Sequence, residues 1–428
     1  MPRPGDAART ALGVAAAVTL GLGCAQSGRP GADSPQPVEP ALRYDLDVEL
    51  DTTDHSLTVV GTLASPEPIS RFFLHPALAL DALTSEGRTV AIRRSDSAVE
   101  LDAAVRTLAF RYHGRFPVVG GRDFKSLAYV EPTQVRLTEV TAWYPVIGLA
   151  GATSPWPVRP AIARIKLPDL PGLTWATSGR RLSDRTVRVD PPGDLVIVAV
   201  DSPVVRLALP TVAPGTLELD ILSPHASLLE TRLPTLLAVH VDGLGAPRID
   251  TVSVVELRAS TSWLSFVSSG LIVFSRAAVE SLGHDEARGV ALVAHELAHL
   301  WFGVTLRAEG PGARWLTESF AEFYAWRALA RAQGASAVQT FIARATADSA
   351  AHPTPLRSLG FDDELVYTRG ALGVRALAAA VGERVLDSTL RRLIADRRPW
   401  RVDALFDALD AEGASRPAIQ AFRETWGS

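Results

Sequence analysis

The five residues at positions 295–299, which read His-Glu-Leu-Ala-His, constrain this chain more than any other part of its sequence. They lie in a stretch whose apolar residues recur with the period of an α-helix. On a helix, a spacing of four residues puts His295 and His299 on one face, where one tetrahedral ion can reach both imidazoles. Glu296 then lies beside the ion rather than on it. The alternative is a buried, hydrogen-bonded histidine pair on a core helix.

A third ligand is needed if this segment holds a hydrolytic zinc, together with an open position for water. Glu318 stands nineteen residues after His299, in a second segment of helical period. If the two segments pack together, Glu318 completes a site for one zinc ion per chain with His295 and His299. Glu322, one turn further, could accept a hydrogen bond from the free ring nitrogen of a ligand histidine. An ion pair between Glu322 and Arg327 is an equally open alternative.

Both of these segments are predicted to be helices. They run over residues 286–302 and 315–333, and each is followed by a glycine, Gly303 and Gly334, of the kind that often ends a helix. The metal-site residues are therefore expected on two neighbouring helices joined by a turn.

The composition is that of a folded chain. Of the 428 residues, 47% are hydrophobic and 21% are charged, which is ordinary for a globular protein. The formal net charge is −4 and the sequence has no long run of Lys or Arg, so nucleic acid is not expected as a partner. At this length two or three domains are expected.

Residues 1–23 are typical of an export signal peptide. Arginines precede a short apolar run over 11–22 that is too short to span a bilayer. The run ends in Leu-Gly-Leu-Gly-Cys, which resembles the bacterial lipoprotein cleavage box, although Gly21 stands where leucine is usual. We therefore expect Cys24, the only cysteine, to carry a lipid that anchors the protein in the bacterial cell envelope. The protein would then lie on the periplasmic or the outer-membrane face. The alternatives are a plain secreted protein cut near Gly23 and an unprocessed membrane anchor.

The rest of the chain divides into three parts. Residues 24–40 are rich in Ser, Gly and Pro, which predicts a flexible linker. Residues 41–205 alternate short apolar runs with Pro and Gly turns, which predicts an N-terminal antiparallel β-sandwich-like domain. Residues 206–428 begin with strands and turn helical from Ser275 onward, which predicts a mostly α-helical domain. The expected fold class is therefore α+β.

His-Glu-x-x-His followed after 18 residues by Glu resembles the signature of the aminopeptidase N family of gluzincin metallopeptidases. Residues 295–303, HELAHLWFG, are similar to the family's H-E-x-x-H-x-W-F-G, and residues 316–321, LTESFA, to its L-N-E-G-F-A. Weaker similarity extends from Trp143 to the tail at Trp426. The resemblance implies a thermolysin-like catalytic domain after the β domain, in a short member where no large C-terminal helical domain follows.

The segment 366–372, VYTRGAL, is similar to the family's Y-x-K-G-A. The family's tyrosine stabilises the tetrahedral intermediate, which implies that role for Tyr367; without the resemblance, a half-buried structural tyrosine would be the preferred interpretation. The mechanism expected is hydrolysis by a zinc-bound water that Glu296 deprotonates. The resemblance thus implies a zinc-dependent metallopeptidase acting on peptide or protein substrates.

One motif departs from the family. Its aminopeptidases carry a G-x-M-E-N loop whose glutamate binds the amino terminus of the substrate; here residues 264–268 read LSFVS, so that Val267 replaces the glutamate. Because valine cannot pair with an ammonium group, strict aminopeptidase specificity is in doubt and endopeptidase action is open. Asp362, Asp363 and Glu364 are candidate substitutes. The alternative function is a non-hydrolytic zinc-binding envelope protein derived from such a peptidase.

Overall fold

The computed structural model describes residues 41–116, 128–138, 141–147, 161–183, 186–189, 195–210, 216–258, 265–360, 364–396 and 400–427. The predicted signal peptide, the linker, Cys24, Asp362 and Asp363 lie outside the described residues, so what was predicted for them stays a prediction. Among the described helices, none combines the length and apolar character needed to cross a membrane.

The N-terminal region consists of strands, as its alternating pattern predicts. In β1, for example, Leu42, Tyr44, Leu46 and Val48 are buried and the residues between them are not. The described strands of this region are β1 (Leu42–Asp51), β2 (Ser56–Phe73), β3 (Leu78–Ser85), β4 (Arg88–Thr89), β5 (Ile92–Ser95), β6 (Ala98–Arg115), β7 (Tyr129–Glu131), β8 (Gln134–Leu137), β9 (Ala161–Lys166), β10 (Thr174–Thr177), β11 (Arg180–Ser183), β12 (Thr186–Val189) and β13 (Ile197–Val200).

These strands form two sheets within the described part of the chain. The larger has nine strands in the order β11-β12-β9-β1-β2-β6-β3-β4, with β5 beside β6. Its pairs are antiparallel except β1 with β9, where Leu42 lies opposite Ala161. The smaller sheet has the order β10-β13-β8-β7 and is antiparallel. Apolar side chains from both sheets share one core, so the predicted β-sandwich-like region is confirmed.

The second region begins with a mixed five-stranded sheet. Its described strands are β14 (Val204–Pro210), β15 (Thr216–Leu222), β16 (Thr251–Leu257), β17 (Phe266–Ser268) and β18 (Leu271–Ser275). They lie in the order β14-β15-β16-β18-β17, with β15, β16 and β18 parallel and the two outer strands antiparallel to their neighbours.

Helices fill the rest of this region, as the change of periodicity predicts. The described helices are α1 (Ala226–Leu244), α2 (Arg276–Gly283), α3 (Ala287–Ala298), α4 (Phe320–Gln333), α5 (Ala335–Ala351), α6 (Arg369–Val381), α7 (Glu383–Asp396), α8 (Val402–Ala411) and α9 (Arg416–Trp426). Single turns occur at Leu356–Ser358 and Glu364–Val366, and a π-helical turn at Trp315–Ser319 precedes α4. The predicted α+β fold class is confirmed, whereas the domain boundary at residue 205 stays a prediction.

A buried carboxylate near the end of β16, the central strand of the five-stranded sheet, fixes the start of the helical layer. Glu256, near the end of β16, accepts a hydrogen bond from the Ser223 hydroxyl at 2.5 Å. Its Oε2 lies 2.9 Å from His225 Nδ1, just before α1, and its Oε1 lies 3.6 Å from Arg276 Nε, at the start of α2. Since a buried charge is costly unless paired, this cluster ties the first turns of α1 and α2 to the sheet. Helix α2 in turn packs against α3.

Helix α3 is shorter than predicted. It ends at Ala298 rather than at residue 302, because the chain tightens there: the Leu300 N–H donates to the carbonyl of Leu297, three residues back, at 3.1 Å. Gly303 therefore lies beyond a short tight turn instead of capping the helix. Gly334, with φ of +89°, does follow α4 directly, as predicted.

Candidate metal centre

The last turn of α3 carries His295, and His299 follows directly as the C-cap of the helix. The apolar face of the helix, with Val290, Val293 and Leu297, is buried in the core, and this fixes the direction in which the imidazoles point. His295 Nε2 and His299 Nε2 lie 3.1 Å apart, with their ring planes at 86°. Two ring nitrogens this close cannot both carry hydrogen, so at least one of them presents a lone pair to the space between the rings.

Glu318 reaches the histidines from the π-helical turn Trp315–Ser319. Helix α4 packs against α3, and the extra residue per turn of the π-helix shifts the preceding side chains relative to an ordinary α-helix. Glu318 Oε2 lies 3.4 Å from His295 Nε2 and 3.4 Å from His299 Nε2. The three predicted ligands are therefore brought together, from two elements that the chain joins through a turn.

The spacing of these three atoms fits one tetrahedral zinc ion. Ligand atoms that are each about 2.0 to 2.1 Å from one such ion lie roughly 3.3 to 3.4 Å from one another. The separations of 3.1, 3.4 and 3.4 Å match this edge length closely. Two imidazoles and one carboxylate form a donor set used by catalytic zinc, and it leaves one coordination position for a small molecule.

Hydrogen-bonding partners behind the ligands orient both imidazoles. His299 Nδ1 donates to the carbonyl of Phe302 at 2.8 Å, which leaves the lone pair on Nε2. His295 Nδ1 lies 2.9 Å from Glu322 Oε2, an ion-pair contact that is not aligned as a linear hydrogen bond. The other oxygen of Glu322 accepts a hydrogen bond from Trp326 Nε1 at 2.8 Å. Glu322 therefore contacts His295 at Nδ1, the ring nitrogen that does not face Glu318.

Arg327, the alternative partner considered for Glu322, is engaged elsewhere. Its guanidinium donates to both oxygens of Asp387 on α7, at 2.7 and 3.0 Å. Of the two arrangements left open by the sequence, the contact between Glu322 and His295 is the one observed.

Burial and charge perturb the acids and bases of the site. Burial alone would lower the pKa of His295, but the Glu318 and Glu322 carboxylates overcome it and raise that pKa to about 10. Burial opposes ionisation of Glu318, yet the neighbouring His299 and His295 hold its pKa well below the usual value. The pKa of Glu296 is raised, chiefly because its carboxyl is buried. A metal ion must therefore displace a proton from His295 when it binds.

Tyr367 packs near His295, and contacts of the neighbouring residues Val366 and Gly370 position it there. Its ring centroid lies 5.6 Å from that of His295. The hydroxyl of Ser319, next to Glu318, donates to the Val366 carbonyl at 2.6 Å. Gly370 allows this approach, because a Cβ at that position would lie 2.1 Å from Ser319 Oγ. Burial, and then the charge of Glu318, raise the pKa of Tyr367, so the phenol is a neutral donor at physiological pH.

Arg314 also belongs to the site, and the sequence analysis missed it. Its Nη1 donates to Glu318 Oε1 at 2.6 Å and its Nη2 to the Tyr367 hydroxyl at 3.0 Å. The only signal in the sequence is its position four residues before Glu318, which is common for ion pairs on helices and does not indicate a site.

Val267 lies on β17, the outermost strand of the five-stranded sheet, opposite Ile272 of β18. Its side chain is partly buried against the core of the helical region. Glu364, a candidate amine binder, is exposed in the single turn Glu364–Val366. Their suggested relation to the amino terminus of a substrate stays a prediction.

A third histidine, His240 on α1, contacts helix α3. Its Nε2 donates to the carbonyl of Ala294 at 2.9 Å, and its ring packs edge-on against Trp301 at 5.7 Å between centroids. Burial lowers the pKa of His240 to about 4, from 6.5. This imidazole is neutral in the folded protein at physiological pH.

His240 should make the fold sensitive to mild acid. Since its pKa is lower in the folded than in the unfolded chain, only the unfolded chain takes up a proton between pH 6.5 and pH 4, and stability falls as the pH falls. The expected loss between pH 7 and pH 5 is about 2 kcal/mol. His240→Gln, whose side-chain amide can still donate to Ala294, should lack this loss. Denaturant unfolding of both chelator-treated proteins at the two pH values tests this; equal losses would contradict it.

The region that carries the two histidines and Glu318 is similar to a known protein family. Residues 264–426 match the family described as the Peptidase family M1 domain. A curated relative, the "Probable aminopeptidase 1" of Sulfurisphaera tokodaii, is 29% identical over 159 residues. That match covers 32% of this chain but only 20% of the relative, so the chain spans about a fifth of the relative's length.

Solved structures match over a larger part of the chain. A crystal structure of an M1 zinc metallopeptidase mutant from Deinococcus radiodurans, bound to a Tyr-Ser-Ala substrate, superposes with a TM-score of 0.64 at 20% identity, covering 91% of this chain and 96% of that one. Another structure of an M1 zinc metallopeptidase from this organism gives a TM-score of 0.63 at 22% identity, covering 90% and 93%. At these identities the likeness establishes the fold.

Proposed function

We propose that this chain, whose residues 264–426 match the Peptidase family M1 domain, hydrolyses peptide bonds with one zinc ion per chain held by His295, His299 and Glu318. The observation that carries the proposal is the convergence of their three ligand atoms at 3.1 to 3.4 Å, the spacing that a single tetrahedral zinc requires. A zinc ion held there supplies Lewis acidity to the scissile carbonyl and to water.

Glu296 acts as the general base and acid of the reaction. Water attacks the carbonyl carbon of the scissile bond, and Glu296 accepts the proton that the water loses. When the bond between carbon and nitrogen breaks, the same carboxyl gives this proton to the departing amine. Its buried position supports this role, because a carboxyl with a raised pKa both takes up and releases a proton more readily near neutral pH.

Tyr367 donates its phenol hydrogen to the oxyanion that forms on the carbonyl oxygen. The phenol keeps its hydrogen at neutral pH because its pKa is raised, and its ring centroid lies 5.6 Å from that of His295. A hydrogen-bond donor in this position contributes roughly 3 kcal/mol in the transition state.

The cleavage mode follows from what binds the amino terminus of the substrate. We propose that Val267 leaves the site without the carboxylate that strict aminopeptidases use, so that internal bonds are cut as well. The test is digestion of a proteome-derived peptide library with the zinc-loaded protein, and mass spectrometry of the products. Internal cut sites that vanish in chelator and return with added zinc support the proposal; removal of single N-terminal residues alone contradicts the cleavage mode, and no cleavage contradicts the function.

We further propose that the protein is exported and that Cys24 is acylated, which rests on the sequence of residues 1–24 alone. The wild-type protein, expressed with its signal, should partition with membranes and into detergent. Cys24→Ala should appear in the soluble fraction instead. Continued membrane partitioning of the variant would contradict lipidation.

A further inference from the structure

We infer that Arg314 is a positioning residue that fixes the positions of the metal ligand Glu318 and the oxyanion donor Tyr367 relative to each other, because its one guanidinium contacts both side chains. This inference rests on the proposed peptidase function and adds a residue to it. Arg314 lies at the start of the π-helical turn, four residues before Glu318, whereas Tyr367 lies 53 residues further along the chain.

The geometry of the guanidinium suits a bridge between two oxygens. The group is planar, carries only donors and presents them in a rigid fork. Nη1 is 2.6 Å from Glu318 Oε1 and Nη2 is 3.0 Å from the Tyr367 hydroxyl oxygen. The side chain is 25% exposed and that of Glu318 only 9%, so the contact is shielded from water on the carboxylate side.

The first consequence concerns Glu318. Arg314 occupies Oε1, while Oε2 is the oxygen that lies 3.4 Å from both imidazole nitrogens. The carboxylate therefore turns one oxygen to the metal and keeps the other away from it. Without Arg314, the carboxylate would be free to rotate and turn both of its oxygens toward the imidazole pair. Partners of this kind typically change metal affinity by about 10- to 100-fold.

The second consequence concerns Tyr367. Since Arg314 can only donate, the phenol oxygen must accept from it, and the phenol hydrogen is left for an acceptor, which is the Glu318 carboxylate in this structure and the oxyanion in the proposed reaction. The direction of the O–H bond is then restricted by the hydrogen bond that the oxygen receives. The adjacent positive charge also polarises the O–H bond and makes it a stronger donor to an oxyanion.

A merely structural role would be an ion pair within one helical turn. Such pairs make a small contribution, and it acts on the stability of the helix alone. The contact with Tyr367 crosses between two separate segments and reaches the reacting side of the site, which an ion pair of that kind does not need. The two interpretations differ in what happens when Tyr367 loses its hydroxyl.

The experiment is a double-mutant cycle with Arg314→Met, Tyr367→Phe and the double variant, on a peptide that the library identifies. Arg314→Met should lower kcat by roughly 10- to 100-fold with little change in KM. In the Tyr367→Phe background the same change should cost less, because the phenol, one of the two side chains through which Arg314 acts, is gone. Arg314→Lys should recover part of the loss, since an ammonium is a compact donor without the fork. Arg331→Met, an exposed arginine on α4, is the matched control and should behave as wild type.

Zinc affinity gives a readout that does not depend on activity. Competition with a chelator should show Arg314→Met binding zinc about 10-fold or more weakly, and the kinetics are measured at saturating zinc. Unchanged zinc affinity with an equal loss of kcat in both backgrounds would overturn the inference. A wild-type protein that binds zinc and cuts no peptide would instead contradict the proposed function. If Arg314→Met does not fold, the same cycle with Arg314→Lys makes the same distinction.

Discussion

Glu296→Gln is expected to lower kcat for peptide hydrolysis by about 10²- to 10⁴-fold while zinc stays bound. Glutamine keeps the size and shape of the side chain but cannot accept a proton from water. Glu296 follows the ligand His295 directly and is buried, so the substitution changes the chemistry at a fixed position and removes no ligand. KM should change little, since the carboxylate is used in the transition state more than in substrate binding.

Two measurements decide this prediction. Initial rates give kcat at saturating zinc, and metal analysis after dialysis shows that the variant still holds one zinc per chain. The control is Glu280→Gln, which removes a carboxylate that is exposed on α2 and should leave kcat unaffected. If Glu296→Gln retained more than about a tenth of the wild-type kcat, Glu296 would not be the general base.

His295→Ala is expected to abolish stoichiometric zinc binding. The change removes one of the three ligands and leaves the buried carboxylates of Glu318 and Glu322 without the imidazole they contact. Both losses weaken the site, because two ligands hold zinc poorly and the Glu322 carboxylate loses the imidazole that it contacts. The variant should also lose all measurable peptidase activity.

Thermal stability gives an independent measure of the same loss. Zinc that binds only the folded state stabilises it by about 2.7 kcal/mol at a hundredfold excess over the Kd, so added zinc should raise the melting temperature of the wild type. His295→Ala should show no such rise, whereas His284→Ala, at an exposed histidine after α2, should respond as wild type does. Stoichiometric zinc in the His295→Ala protein would contradict the assigned ligand set.

The sequence predicted the elements and the ligand candidates because both depend on local spacing. Two histidines four residues apart on a helix must share a face, whatever surrounds them. The position of Glu318 was predicted only as a candidate, since it depends on how α4 packs on α3. The packing includes a π-helical turn that residue propensities do not signal.

What the sequence could not give are the contacts between distant segments. Arg314 meets Tyr367 across 53 residues, and no local pattern marks it as part of the site. Whether Glu322 contacts His295 or Arg327 likewise depends on a distant residue. Asp387 on α7 pairs with Arg327, and Glu322 contacts His295. The early end of α3 was also not predicted. It is accompanied by a local contact, the hydrogen bond from His299 Nδ1 to the carbonyl of Phe302 within the tightened turn.

Anomalous X-ray diffraction at the zinc absorption edge, from crystals of the zinc-loaded protein, tests the ligand set most directly. The expected result is one anomalous peak per chain, bonded to one nitrogen each of His295 and His299 and to an oxygen of Glu318. A peak at another position in protein saturated with zinc, or no peak at these three side chains, would contradict the metal centre and the hydrolytic function built on it.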